Sequence, residues 1–492
     1  MAKNLSILYV TPEIYPFIKI GGIADTSFAY SMAVKDSGHD IRIMVPKYGH
    51  VSERKNKIHE INRLKDMPIN VGKETELATV KSSSLTNTRT KVQAYITTNG
   101  RYFDQKKSLY NDPKTGLEYP DNDERFIFFN KSVVETCMLL GWEPDIIHCN
   151  DWQAGLIGAY VKLMYPDKFK KTKVVLTIHN FNRQGVFPAS TFAKTGFDKE
   201  FKSMFIHKRK FNFMKAAIEN ADYITTGSST YAEEILKDIH YSDGLNKVLA
   251  QHKEIFEGIK IGIDPYQWNP KHDTDIYKKL EVDFTGYKFE NKRHLMKEAG
   301  LPFNQNTPVI GIITKLTENK GIPLFIEVVD KLLKENVQII MLASGDKEMM
   351  KKLKKVEKKY SDKFSIRDEF NERFAHQINA GADFLMMTNK YAPTGLNALY
   401  ALNCGTVPIV SNVGALKDIV VNFDPKTQEG NGFIFKTYKA ADLLKTIKMA
   451  LALYNEIENW NRLIDNALNG NYGWKDSVKK YDTIYREIKK DN

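Results

Sequence analysis

A chain of 492 residues is too long for one hydrophobic core and implies about two to four domains. Its composition, 42% hydrophobic and 27% charged, excludes a disordered or fibrous chain and fits an ordinary globular one. The formal charge of +12 favours anionic partners, but there is no zinc-finger spacing and no aromatic-plus-basic RNA motif, so nucleic acid is not the expected partner. The opening MAKNLSILYV runs into a strand pattern without a secretory leader, and no apolar run has membrane-spanning length. Cys137, Cys149 and Cys404 lie apart and lack metal-ligand spacing, which suits a reducing compartment. The expectation is a cytoplasmic protein with no membrane partner.

In chain order, short apolar β-rich runs alternate with helical patterns. The runs are 5–10, 41–45, 92–96, 145–148, 174–178 and 223–226, then 309–313, 337–342, 384–387 and 407–410. Continuous apolar strands separated by amphipathic helices predict parallel sheets covered on both faces. Two such series predict an α/β protein with two doubly wound, Rossmann-like domains. The turn-rich segment IGIDPYQWNP, 261–270, separates them, and 474–488 reads as a final amphipathic helix. The basic run KKLKKVEKK, 351–359, reads as a solvated helix face.

Ligands in such folds sit beyond the carboxyl ends of the strands, so the loops there carry the chemistry. KIGGIAD places Lys19 beside Gly21 and Gly22, whose amides can approach a charged ligand. HCNDW, 148–152, brings Asn150 and Asp151 to a strand end as part of a polar cluster expected to face a ligand. TIHNFNRQG places His179 at the next strand end. In the second series, TKLTENKG carries Lys315 and Lys320, two point charges suited to a diphosphate. ASGD, 343–346, reads as a nucleotide-side turn. KYAPTGLNALYALNCG predicts a helix from about Thr394 to Gly405, whose exposed amides suit a phosphate. No carboxylate cluster with metal-ligand spacing accompanies these loops, so no metal and no cofactor is expected.

These blocks, in this order, resemble the bacterial glycogen synthase and plant starch synthase family of retaining glucosyltransferases. KIGGIAD, IRIMVPKYG, YPDNDERF, DIIHCNDWQAGL, TIHNFNRQGVFP, GIDPYQWNP, KLTENKG and PTGLNALYALNCGTVPIV carry the likeness over nearly the whole chain. The resemblance implies two facing Rossmann-like domains of the GT-B type with a deep interdomain cleft. It implies an acceptor-side domain at 1–262, a nucleotide-sugar domain at 263–472, and a helix at 473–492 that packs back on the first. It implies glucose transfer from a nucleoside diphosphate glucose, ADP-glucose as co-substrate, to the non-reducing end of an α-1,4-glucan acceptor. Lys315 and Lys320 would act on the leaving diphosphate, and Asn150 and His179 at the sugar. Lys19, Gly21, Gly22, Thr394, Gly395 and Leu396 would contact the donor phosphates and sugar. Asp25 would lie toward the ribose, Asp151 and Gln184 at the substrate, and Asp121 and Asn122 on the acceptor side.

Several positions depart from the family pattern. Lys315 replaces an arginine, Ala392 a glutamate that helps hold the donor glucose, Asn379 a residue that is often tyrosine, and Ile261 an asparagine. Losing the charged group at 392 predicts a slower enzyme, by about 100-fold or more. Two alternatives follow: a glucan- or nucleotide-binding scaffold or regulator, or a transferase that uses a different sugar nucleotide.

Overall fold

The computed structural model describes residues 4–237, 239–369 and 371–490. The chain forms two compact units: one runs up to Asp264 and resumes at Trp474, the other is Pro265–Gly473.

The first unit is built on a ten-stranded sheet. Its parallel part runs, in space, Phe256–Gly258, Tyr223–Thr226, Lys173–Ile178, Ile146–Asn150, Ser6–Val10, Asp40–Pro46 and Lys91–Thr98. The chain starts at Ser6–Val10, moves to one side for Asp40–Pro46, and later returns on the other side as Ile146–Asn150. That reversal is a topological switch point. Ile146–Asn150 is buried along its length, the pattern of a strand covered on both faces.

Beyond Lys91–Thr98 the sheet turns antiparallel through Glu74–Thr86, with Met67–Val71 paired to it. Neither strand is marked by a continuous apolar run. Met67–Val71 alternates buried and exposed residues, because only one face is covered. Three very short strands, Val186–Pro188, Ile206–His207 and Lys210–Asn212, form a small antiparallel sheet that also lacks a run signal.

The last helix, Lys475–Lys490, belongs to the first unit. Its buried face meets the sheet through polar groups. Tyr485 Oη lies 2.6 Å from His148 Nδ1 and also touches the Tyr30 hydroxyl. Tyr481 Oη lies 3.1 Å from Thr225 Oγ1, and the Ser477 hydroxyl donates to the Lys260 carbonyl.

The second unit holds six parallel strands in the order Phe364–Arg367, Gln338–Gly345, Val309–Leu316, Phe384–Met387, Val407–Ser411 and Phe433–Phe435. Its core gathers Ile310, Phe325, Val328, Ile339, Met341, Phe384 and Ile409. A second switch point lies between Val309–Leu316 and Phe384–Met387. The Lys347–Lys359 helix buries only Leu353 and carries its lysines at the surface or half-buried. All three cysteines are buried and free. Among the described residues, no helix is long and apolar enough to cross a membrane.

Candidate active site

Several of the residues singled out in the loops lie at or beside these two switch points. In the first unit Asn150 ends its strand, wholly buried. Its Nδ2 donates to the Val10 carbonyl at 2.9 Å, so its Oδ1 is the acceptor. That oxygen accepts from Tyr9 Oη at 2.9 Å and lies 2.9 Å from His179 Nε2. His179 Nε2 therefore carries the ring hydrogen, and Nδ1 is left as a bare acceptor. Nδ1 is buried without a hydrogen-bond partner among the described residues. Burial pushes the His179 pKa down to about 4, so the ring is neutral near pH 7. A buried, unpaired acceptor at a strand end suits a substrate hydroxyl.

Asp151 follows with φ +55° and ψ −175°, a region that side chains other than glycine rarely occupy. Its Oδ1 accepts the His179 amide at 2.7 Å and the Asn180 amide at 3.2 Å. Burial outweighs those bonds and, with the charge of Glu13 adding to it, raises the carboxyl pKa to about 7. A strained residue with a shifted pKa just beyond a strand end is a candidate functional position.

The HCNDW block does not act as one cluster, contrary to expectation. His148 is fully buried between Tyr485 Oη and Thr177 Oγ1, each at 2.6 Å. Trp152 packs edge-on against Phe126 and Phe213. Only Asn150 and Asp151 remain at the site.

The Lys19 loop is also held internally. Lys19 Nζ lies 2.8 Å from Asp25 Oδ2, in the first turn of the Gly22–Asp36 helix. The Ile20 and Gly21 amides donate to Glu13 Oε2 at 2.6 and 3.0 Å. Gly21 thus has no amide to offer a ligand, which corrects that expectation; Gly22 opens the helix.

Three expected substrate contacts instead have bonds within the fold. Asn122 is buried; its Nδ2 donates to the Tyr110 carbonyl at 3.1 Å, and its Oδ1 accepts from Arg125 at 2.6 Å. Gln184 is buried; its Nε2 donates to the Ser242 carbonyl and its Oε1 accepts from Asn212 at 2.8 Å. Asp121 pairs with Lys106 at 3.2 Å.

At the second switch point the two loops are stitched together. The Lys390 amide donates to the Asn319 carbonyl at 2.9 Å, and Thr388 Oγ1 to the Lys320 and Gly321 carbonyls at 3.1 Å each. This closeness demands glycine at 321, where φ is +73° and a Cβ would lie 1.6 Å from the Thr388 carbonyl oxygen. Lys315 and Lys320 are both exposed. Desolvation by the surrounding loops lowers the Lys320 pKa, and repulsion from the Lys315 ammonium adds to it. Both lysines lie on one short stretch, Lys315 near the end of its strand and Lys320 in the loop that follows. Among the described residues, no carboxylate pairs with the Lys320 ammonium.

The helix expected near Thr394 is Leu396–Asn403, entered through Gly395 at φ +63° and ended before Gly405. The Leu396 and Asn397 amides lie in its first turn, where no helical carbonyl precedes them. Asn397 Nδ2 ties this turn to the Ile313 carbonyl at 3.1 Å, and Thr394 is half-buried beside it. Ala392 is buried, its carbonyl accepting the Ala415 amide at 2.8 Å.

Asn379 is buried in its helix, where its Nδ2 donates to the Ala375 carbonyl at 2.9 Å; its Oδ1 is buried without a hydrogen-bond partner among the described residues. Asp346, in the expected nucleotide-side turn, caps the Lys347–Lys359 helix by accepting the Met349 amide at 2.8 Å. One grouping escaped the spacing argument: ligand-type atoms of Asp273, Asp275 and His376 lie within 4.8 Å of one another. His376 Nδ1 is already 2.6 Å from Asp273 Oδ2, and its ring stacks on Trp268.

Comparison with known proteins bears on both units. Residues 6–251 match a family model described as the starch synthase catalytic domain, and residues 296–469 match glycosyl transferases group 1. The glycogen synthase of Chlorobaculum tepidum is 36% identical over 488 residues, covering 99% of each chain. The glycogen synthase of Clostridium botulinum is 35% identical over 492 residues, covering 98% of this chain and 99% of that one. The solved catalytic domain of starch synthase IV from Arabidopsis thaliana, bound to ADP and acarbose, is similar with a TM-score of 0.91. It is 25% identical and covers 99% of this chain and 100% of its own. Sucrose-phosphate synthase from Thermosynechococcus elongatus shares the fold at a TM-score of 0.59, 14% identity and 99% coverage of both chains.

Proposed function

The chain belongs to the glycogen synthase and starch synthase family of GT-B glucosyltransferases, and on that premise we propose that it moves glucose from ADP-glucose to the non-reducing end of an α-1,4-glucan. The chemical demand is to stabilise charge that develops on the departing diphosphate. Lys315, Lys320 and the amides of Leu396 and Asn397 meet it, with Thr394 and Gly395 lining the approach. Lys19, steadied by Asp25, adds a further positive charge for the donor. His179 offers its neutral Nδ1 to a hydroxyl of the transferred glucose, with Asn150 setting the tautomer and Asp151 holding the loop. Asp121 lies on the acceptor side. The acceptor attacks on the face the phosphate leaves, which retains configuration. The reading needs no cofactor beyond the donor and places the reaction in the cytoplasm.

The observation that carries it is that Lys315 and Lys320, both exposed, sit at one strand tip in loops stitched together at a switch point, with a helix start in the same unit. Elongation of glycogen with labelled ADP-glucose and UDP-glucose tests it. The expected result is incorporation from ADP-glucose that falls about 100-fold or more in Lys320→Ala. Equal incorporation by the two proteins contradicts it.

Ala392 favours a second reading, a glucan- or nucleotide-binding scaffold. A buried methyl stands where a carboxylate would help hold the glucose. Binding of ADP and glucan without turnover, unrelieved by Ala392→Glu, would support that reading.

A further inference from the structure

Glu13 lies three residues past the end of the first strand, outside the motifs that pointed to the site. It is 5% exposed. Its carbonyl is fixed by Thr11 Oγ1 at 2.9 Å, and its Oε2 receives the Ile20 and Gly21 amides at 2.6 and 3.0 Å. Gly21 is the N-cap of the Gly22–Asp36 helix and makes no side-chain cap bond. The positive end of that helix favours an anion, and Glu13 supplies one from within the chain. A Cβ on Gly21 would lie 3.3 Å from Glu13 Oε1, so the carboxylate packs against a position where a side chain would crowd it. The charge of Glu13 also reaches Asp151, Tyr48 and Tyr110, which places it at the first switch point.

We propose that Glu13 is a positioning residue that occupies the amide pair a phosphate would otherwise take and thereby sets the place of Lys19. The proposal rests on the transferase reading. It takes the Ile20 and Gly21 amides out of the set that could meet a phosphate and leaves the Lys19 ammonium as the loop's charged side chain. The backbone next to Lys19 is held by Glu13, and its side chain by Asp25 at 2.8 Å. Shifts of about 1 Å in such a group can cost on the order of 100-fold in rate.

The two roles differ in sign. If the Ile20 and Gly21 amides bound phosphate, removing Glu13 would release them and the donor KM would fall. If Glu13 positions Lys19, its removal lets the loop drift: kcat falls, the donor KM rises and the glucan KM holds.

Hydrogen–deuterium exchange on the ligand-free full chain reads the clamp, and steady-state kinetics read its consequence. In Glu13→Ala we expect exchange at Ile20 and Gly21 to quicken by about tenfold or more. Donor kcat/KM should fall about 10- to 100-fold. In Glu13→Gln, whose amide oxygen still accepts but without charge, both effects should be partly reversed. Lys19→Ala added to Glu13→Ala should cost little more, since the two act as one unit. Unchanged exchange in Glu13→Ala, or a lowered donor KM, overturns the proposal. Should Glu13→Ala fail to fold, exchange in Glu13→Gln decides: quickened supports the clamp, unchanged overturns it. A wild-type chain without transferase activity would sink the transferase reading, while the exchange result still decides the clamp.

Discussion

At the first unit's switch point the charged groups already have partners inside the protein. Lys19 meets Asp25, Glu13 takes two amides and Asp151 takes two more. At the second unit's switch point Lys315 and Lys320 are both exposed, and no carboxylate among the described residues pairs with Lys320. The first is buried and orients a neutral imidazole; the second is open and cationic. The contrast is the one the proposed reading needs from glycosyl transfer. An uncharged sugar is held by oriented acceptors, and a departing diphosphate by concentrated positive charge. Like charges held together raise the free energy of the unliganded protein and favour an anion that relieves them.

If the first unit depends on buried, oriented histidines, acid should loosen it most. His148 is fully buried and its pKa is pushed down to about 3. A folded pKa below the unfolded value stabilises the fold above that unfolded value, near 6.5. The stabilisation is lost as the pH falls from there through about 3. Between pH 7 and pH 3 the loss is on the order of 4 kcal/mol. His148→Gln should flatten much of that slope in denaturant melts; an unchanged slope would show that the buried network around the last helix does not govern acid lability. Asp151, with its raised pKa, acts in the opposite sense, so the wild-type-minus-variant difference is the quantity to read.

Lys320→Ala should then lower kcat/KM by about 100- to 1000-fold, because it removes charge from the leaving-group side. His179→Ala should lower it about 10- to 100-fold through one lost hydrogen bond to a hydroxyl. Wild-type activity should decline as the pH falls through about 4, where Nδ1 gains a proton and ceases to accept. A His179 effect equal to that of Lys320 would erase the contrast between the two sites. Ala392→Glu should raise kcat about tenfold, at a stability cost of about 1–3 kcal/mol because the site is tightly packed. No gain would favour the scaffold. Lys315→Arg should improve donor KM only a few-fold, roughly 1 kcal/mol, by adding a bidentate fork.

The parallel strands were legible because strands buried on both faces must be apolar throughout, as Ile146–Asn150 is. Glu74–Thr86 escaped because an antiparallel strand covered on one face mixes polar and apolar residues. Lys315, Lys320 and the Leu396 helix start were legible because strand tips and glycine-led helices have local signatures. Gln184 and Asn122 looked ligand-facing because a polar side chain in a sequence motif carries no mark of the backbone group it bonds. Glu13 escaped for a related reason: its partners lie seven and eight residues away across a turn, a pairing no periodicity records. A carboxylate just past a strand, facing a glycine pair before a helix, was the available hint.

The direct test of the central claim is calorimetric titration of ADP into the full chain, wild type and Lys320→Ala, at low and moderate salt with and without chelator. We predict binding that survives chelation, weakens with salt, and drops about 30-fold or more in the variant. Binding of equal strength in both proteins, or its loss on chelation, would contradict the assignment of the diphosphate to the lysine pair.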